Sequence, residues 1–121
     1  MVVKTKEKKT DLPYHVYFRV DRKSGGFARE IKEAKITCTS ETLPKKIAAL
    51  EARLIHSNPG CNIYSIRIGE AERYLDDRTL MSKEEREKID GYLSEMLRKS
   101  EGELDKLTKD FRFLGITRYI G

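Results

Sequence analysis

The chain has 121 residues, of which 38% are hydrophobic and 37% charged, with two cysteines and two histidines. That length favours a single domain that folds without disulfides or metal, and so large a charged share requires much of the chain to lie on solvated faces. The net charge is +5, all of it from residues 1–50, where 12 Lys and Arg stand against 6 Asp and Glu; residues 51–121 carry 13 against 14. A basic half of this kind suits an anionic partner such as nucleic acid, an acidic protein or a phosphorylated small molecule.

Residues 1–12 read as a disordered basic arm, because Lys4, Lys6, Lys8 and Lys9 surround one acid, Glu7, and no apolar period exists to bury them. Val2-Val3 runs directly into these lysines, so no secretory signal is expected, no membrane span follows, and the expected address is cytoplasmic. Residues 13–121 form the expected folded domain.

Tyr14 to Val20 alternate, with Tyr14, Val16, Phe18 and Val20 on one face and His15, Tyr17 and Arg19 on the other. This predicts a half-buried strand whose solvent face is aromatic and basic. Asp21-Arg22-Lys23-Ser24-Gly25-Gly26 supplies a hairpin turn. In the partner segment Phe27, Arg29 and Ile31 keep one phase, while Ala34, Ile36 and Cys38 keep the other. A bulged strand kinked near Lys32-Glu33 reconciles them; the rival is a short helix through Phe27, Ile31, Ala34 and Cys38.

Leu43, Ile47, Leu50 and Leu54 then fall on one helical stripe. Thr39 or Ser40 is the expected cap, Pro44 fits the first turn, and Asn58-Pro59-Gly60 ends the helix. Lys45 and Lys46 stand near its positive end, against the macrodipole. A third strand spans Ile63 to Ile68, with Tyr64, Ile66 and Ile68 expected on one face and Ile63, Ser65 and Arg67 on the other. The connection Glu70 to Arg78 is polar, with one helical turn expected at Ala71, Tyr74 and Leu75.

Ser82-Lys83-Glu84-Glu85 reads as a capping box that starts a long helix. Its stripe runs through Ile89, Tyr92 or Leu93, Met96, Ser100, Leu104, Leu107, Phe111 and Leu114, weakened at Ser100-Glu101-Gly102, as one helix or as two with a break near Gly102. The tail from Phe111 is unusually apolar, with Phe113, Leu114, Ile116, Tyr119 and Ile120, and should close the core, add an edge strand or meet a partner.

One catalytic pattern is present: Asp21 followed by Glu30-Ile31-Lys32, the order in which PD-(D/E)xK nucleases set two carboxylates around Mg²⁺ and a lysine beside a water. Val20 replaces the usual Pro, and Glu33-Ala34-Lys35 repeats the triplet by chance. Cys38 and Cys61 lack CxxC spacing and His15 and His56 lack ligand spacing, so no metal or cofactor is expected.

The expectation is therefore an α+β domain: a small, mostly antiparallel three-stranded sheet, built as hairpin, helix and strand, packed by two helices of which the C-terminal one is long. It is expected to be a non-catalytic binding protein of regulatory or accessory type. Nucleic acid is the first candidate ligand, met by Lys4, Lys6, Lys8, Lys9, Tyr17, Arg19, Arg22, Lys23 and Arg67. The alternative is a protein-interaction module or inhibitor acting through Met96, Leu107, Phe111, Phe113 and Tyr119, with homodimerisation along the long helix.

Overall fold

In the computed structural model the alternating segment forms β1 (Leu12–Arg22), which pairs antiparallel with β2 (Arg29–Cys38). The structure describes residues 11–22, 29–69, 81–109 and 111–120, with backbone alone at 22, 29, 30 and 112–120. The expected basic arm, the hairpin turn with Lys23 and Phe27, and the connection after Gly69 lie outside the described residues. The remaining elements are α1 (Leu43–Ser57), β3 (Cys61–Gly69), α2 (Lys83–Leu97), α3 (Glu101–Leu107) and β4 (Phe111–Ile120).

The sheet order is β3-β1-β2-β4, and every pairing is antiparallel. This is the expected α+β fold, enlarged by a fourth strand from the aromatic tail. β1 sits at the centre because both of its faces are apolar enough to be enclosed. Val16 and Phe18 are fully buried against α1, α2 and α3, together with Ile36, Ile47, Leu50, Ile89, Met96 and Leu104. Each such side chain contributes roughly 1.5–3 kcal/mol by leaving water.

β2 pairs with β1 in unbroken register from Leu12↔Cys38 to Asp21↔Arg29, so the expected kink near Lys32-Glu33 is absent from that ladder. Both phases of the segment are real: Ala34, Ile36 and Cys38 enter the helix-side core, and Ile31 enters a second cluster on the opposite face. The irregularity falls instead on β4, where Lys32 pairs with Thr117 but Ala34 with Phe113. Gly115 lies within the extra residues, where a kinked backbone favours glycine.

β3 also departs from its expected alternation. Tyr17 pairs with Arg67 and Phe18 with Ser65, which leaves Ile66 as a bulge. Ile63 packs in the helix-side core, Ile66 and Tyr64 in the opposite cluster, and Ile68 against the helix side again. The bulge switches the phase, so Tyr64, Ile66 and Ile68 do not share a face.

α1 is buried on more than its Leu43–Leu54 stripe, since Ala48, Ala49, Glu51 and Ala52 are enclosed as well. Small residues there let the neighbouring helices approach. Thr42, not Thr39 or Ser40, occupies the cap position; Thr39 Oγ1 instead accepts from the Thr42 amide at 3.2 Å and shapes the preceding turn. Pro44 lies in the first turn, and Gly60 ends the connection at φ 85°, a left-handed conformation that suits glycine. The expected capping box holds α2: Glu85 N donates to Ser82 Oγ at 3.1 Å and Ser82 N to Glu85 Oε1 at 2.9 Å.

The long C-terminal helix is two helices. α2 stops at Leu97, and a second capping box between Ser100 and Glu103 starts α3. Ile89, Met96 and Leu104 of the stripe pack in the core with α1, while Tyr92 and Leu97 of α2 stay exposed.

Candidate nucleic-acid interface

Alternation along β1 sends His15, Tyr17 and Arg19 to the sheet face away from the helices, and directly paired residues share that face. His15 lies opposite Lys35, Tyr17 opposite Glu33 and Arg67, and Arg19 opposite Ile31 and Tyr64. Among the described residues the apolar cluster there comprises Tyr17, Ile31 and Ile66 with Tyr64 packed on it, and none of them is helical.

Tyr17 is only 2% exposed, which corrects the expectation that its ring faces solvent. Its hydroxyl donates to Glu33 Oε2 at 3.2 Å, and the same carboxylate oxygen meets His15 Nδ1. A buried carboxylate needs such partners, and the pair of contacts fixes Glu33 beneath its cross-strand neighbours. The Tyr17 ring is consequently a packing element and not a free stacking platform.

Arg19 is also largely enclosed. Its side chain is 14% exposed, its Nε donates to Asp21 Oδ1 at 3.3 Å, and its guanidinium stands 5.9 Å from the Tyr64 ring centre. That position favours cation–π attraction. Arg67, Tyr64 and Lys35 are half-buried and retain access to solvent. Arg112 is the registered partner of Lys35, and Arg118 that of Ile31. The cations on this face are thus Lys35, Arg67 and Arg19, one at each of three successive ladder levels, of which Lys35 escaped sequence reasoning because the uncertain phase of β2 hid its orientation.

Of the other expected contacts, Arg22 ends β1 opposite Cys61, while Lys4, Lys6, Lys8, Lys9 and Lys23 are outside the described residues. The expected partner-binding residues are drawn into the fold. Met96 is fully buried, Leu107 packs on the core, and Phe111 lies under the Arg53 guanidinium at 4.8 Å. Phe113 and Tyr119 occupy β4 opposite Ala34 and Glu30.

The nuclease-like arrangement does not assemble. Asp21 pairs with Arg29, whereas Glu30 pairs with Val20, one step out of phase, and Lys32 with Phe18. Asp21 instead accepts from Arg19. Among the described residues no group of three acidic, histidine or cysteine side chains could hold a metal ion.

A second polar cluster, between α1, α2 and β3, was not foreseen. Glu51, 2% exposed, accepts from Ser65 N at 3.1 Å and Ser65 Oγ at 2.9 Å, and pairs with Arg86 Nη2 at 3.2 Å. Arg86 also donates to the Ser65 carbonyl at 2.9 Å and holds Asp90. Ser65 lies on an outer strand beside the bulge, so its backbone groups lack ladder partners on that side. Glu51 and Arg86 supply them, which makes the cluster a seal on the sheet edge.

No described helix is long and apolar enough to cross a membrane. Comparison of the chain with protein-family models, with curated proteins and with solved structures returns no match.

Proposed function

We propose that this is a small non-catalytic binding protein of regulatory or accessory type that contacts the phosphate backbone of nucleic acid with the sheet face opposite α1, α2 and α3. The observation that carries the reading is that Lys35, Arg67 and Arg19 share one face of the sheet at three successive ladder levels, those of His15, Tyr17 and Arg19, near the registered positions of Arg112 and Arg118. Cations at these spacings neutralise successive phosphates and release their counterions, which gives affinity without base specificity. Burial of Tyr17 removes the aromatic that base stacking would need, so the contact is electrostatic. The lysines of residues 4–9 would add to the same field.

The test is fluorescence anisotropy with a labelled single-stranded oligonucleotide. Binding in about 50 mM salt should weaken steeply toward about 200 mM, and Arg67→Glu or Lys35→Glu should flatten that slope with little change in sequence preference. No binding at tens of micromolar protein in the lower salt would overturn the reading.

A second reading, docking of a protein partner or a second copy on α2, is favoured by Tyr92 and Leu97, which are 38% and 36% exposed. Salt-insensitive association weakened by Tyr92→Ser would support it.

A further inference from the structure

His15 occupies the first of the three ladder levels on the cationic sheet face, opposite Lys35 on β2 and Gly69 on β3. Directly paired side chains on one face stand roughly 5 Å apart at Cβ, which brings the imidazole beside the Lys35 stem. Gly69 leaves the other flank of the ring uncovered by a side chain. The ring's Nδ1 meets Glu33 Oε2, which also accepts from the Tyr17 hydroxyl at 3.2 Å. A carboxylate only accepts, so Nδ1 carries the proton and Nε2 is the nitrogen left to gain or lose one. The His15 side chain is 16% exposed, and Nε2 is neither bonded to a described residue nor shut away from solvent. Glu33 is thus spent on His15 and Tyr17, and among the described residues no acid meets the Lys35 ammonium.

From this geometry we propose that His15 is a further phosphate contact of the sheet face, engaged when its ring is protonated, so that acid strengthens the hold of that face on the phosphate backbone. The inference rests on the nucleic-acid reading of the face and adds its regulation by pH. In the neutral ring Nε2 presents a lone pair, which repels a phosphate oxygen; in the imidazolium it presents an N–H and a positive charge. Glu33 holds the ring through Nδ1 in both states, so the change needs no reorientation of the imidazole. A phosphate can then meet Nε2 and the Lys35 ammonium together, through charge-assisted hydrogen bonds. The charged and titratable groups around the ring are Glu33 and Lys35 from β2, Tyr17 from β1 itself and Arg67 from β3, with Arg112 registered beyond Lys35 on β4. Histidine is the side-chain type that ordinarily changes charge between about pH 5 and 8, which sets the range of the test.

The experiment is fluorescence anisotropy of the full chain with a labelled single-stranded oligonucleotide at about pH 7.5 and about pH 5.5, over about 50 to 200 mM salt. The wild type should bind roughly three- to fivefold tighter at the lower pH, with a log–log salt slope steeper by about 0.7, the value of one more phosphate contact on a single strand. His15→Gln should bring that ratio close to one, while His56→Gln, at the exposed end of α1, should keep it. The ring nitrogen NMR signals of the wild type check the same point without a substitution. Between the two pH values, added oligonucleotide should move Nε2 of His15 toward its protonated position and leave that of His56 in place, because a ligand that prefers the charged ring draws a proton onto it. Equal wild-type affinity at the two pH values, a ratio that survives in His15→Gln, or an Nε2 signal unmoved by saturating oligonucleotide overturns the proposal while the nucleic-acid reading stands. No binding at either pH overturns both.

Discussion

Tyr17 and Glu33 show how a residue's identity can suggest one role and its neighbours impose another. Tyr17 lies on the expected face of β1, but Ile31 and Ile66 on the adjacent strands pack with its ring, and the Glu33 carboxylate accepts a hydrogen bond from its hydroxyl. Tyr17→Phe should cost about 1 kcal/mol in urea unfolding, by removing one hydrogen bond to a buried carboxylate. Tyr17→Ala should cost about 3 kcal/mol or more, by opening a cavity. Equal effects would contradict the packing role. Glu51 carries a larger share: Arg86→Ala leaves it without its cation beside Ser65, and because Arg86 is a quarter exposed the expected loss is about 2–3 kcal/mol, below that of a fully buried pair. Glu51→Leu, which removes the buried charge itself, should be milder than Arg86→Ala in the same assay.

At the scale of elements, two capping boxes divide the C-terminal helical region. The Ser100-Glu101-Gly102-Glu103 signature was available in the sequence, spanning the expected break near Gly102, and it places the start of α3. The hydrogen bond from the Ser100 backbone holds the Glu103 carboxyl below the ordinary glutamate range, aided by Lys99 and Lys106 and opposed by slight desolvation. A carboxyl lowered in the folded state stabilises the fold above its unfolded value and loses that contribution as pH falls through its folded value. NMR titration should therefore place the Glu103 midpoint below that of an ordinary glutamate, and amide protection at the start of α3 should fall over the same acidic range. Changing Ser100 to Ala removes the hydroxyl acceptor, so the α3 amides of that variant should exchange faster at neutral pH, and unchanged exchange would count against the cap.

At the scale of the molecule, the sheet, α2 and α3 all pack against α1, so Leu50 has no route to water. Leu50→Asp or Phe18→Asp should abolish cooperative unfolding near the wild-type temperature, since either places a charge where burial is complete, at a cost of several kcal/mol. The same enclosure buries Ile89, Met96 and Leu104 within the chain and leaves Tyr92 and Leu97 of α2 exposed, so a surface open to a second copy lies beside those buried positions.

The sequence by itself determined the local elements of this protein: the alternation of β1, the apolar stripe of α1, the glycine after it and the Ser82 capping box all depend on contacts within a few residues. It also determined the α+β class, because the order of those periods leaves few ways to bury them. Only the tertiary structure decided the phase of β2, the bulge at Ile66, the enclosure of Tyr17 and the placing of the tail as β4. Each of these depends on which strands become neighbours, and a strand apolar on both faces has no preferred phase until its partners cover them. The candidate interface was legible in Arg19 and Arg67 as charges, but the face they share with Lys35 exists only once β3, β1 and β2 are laid side by side.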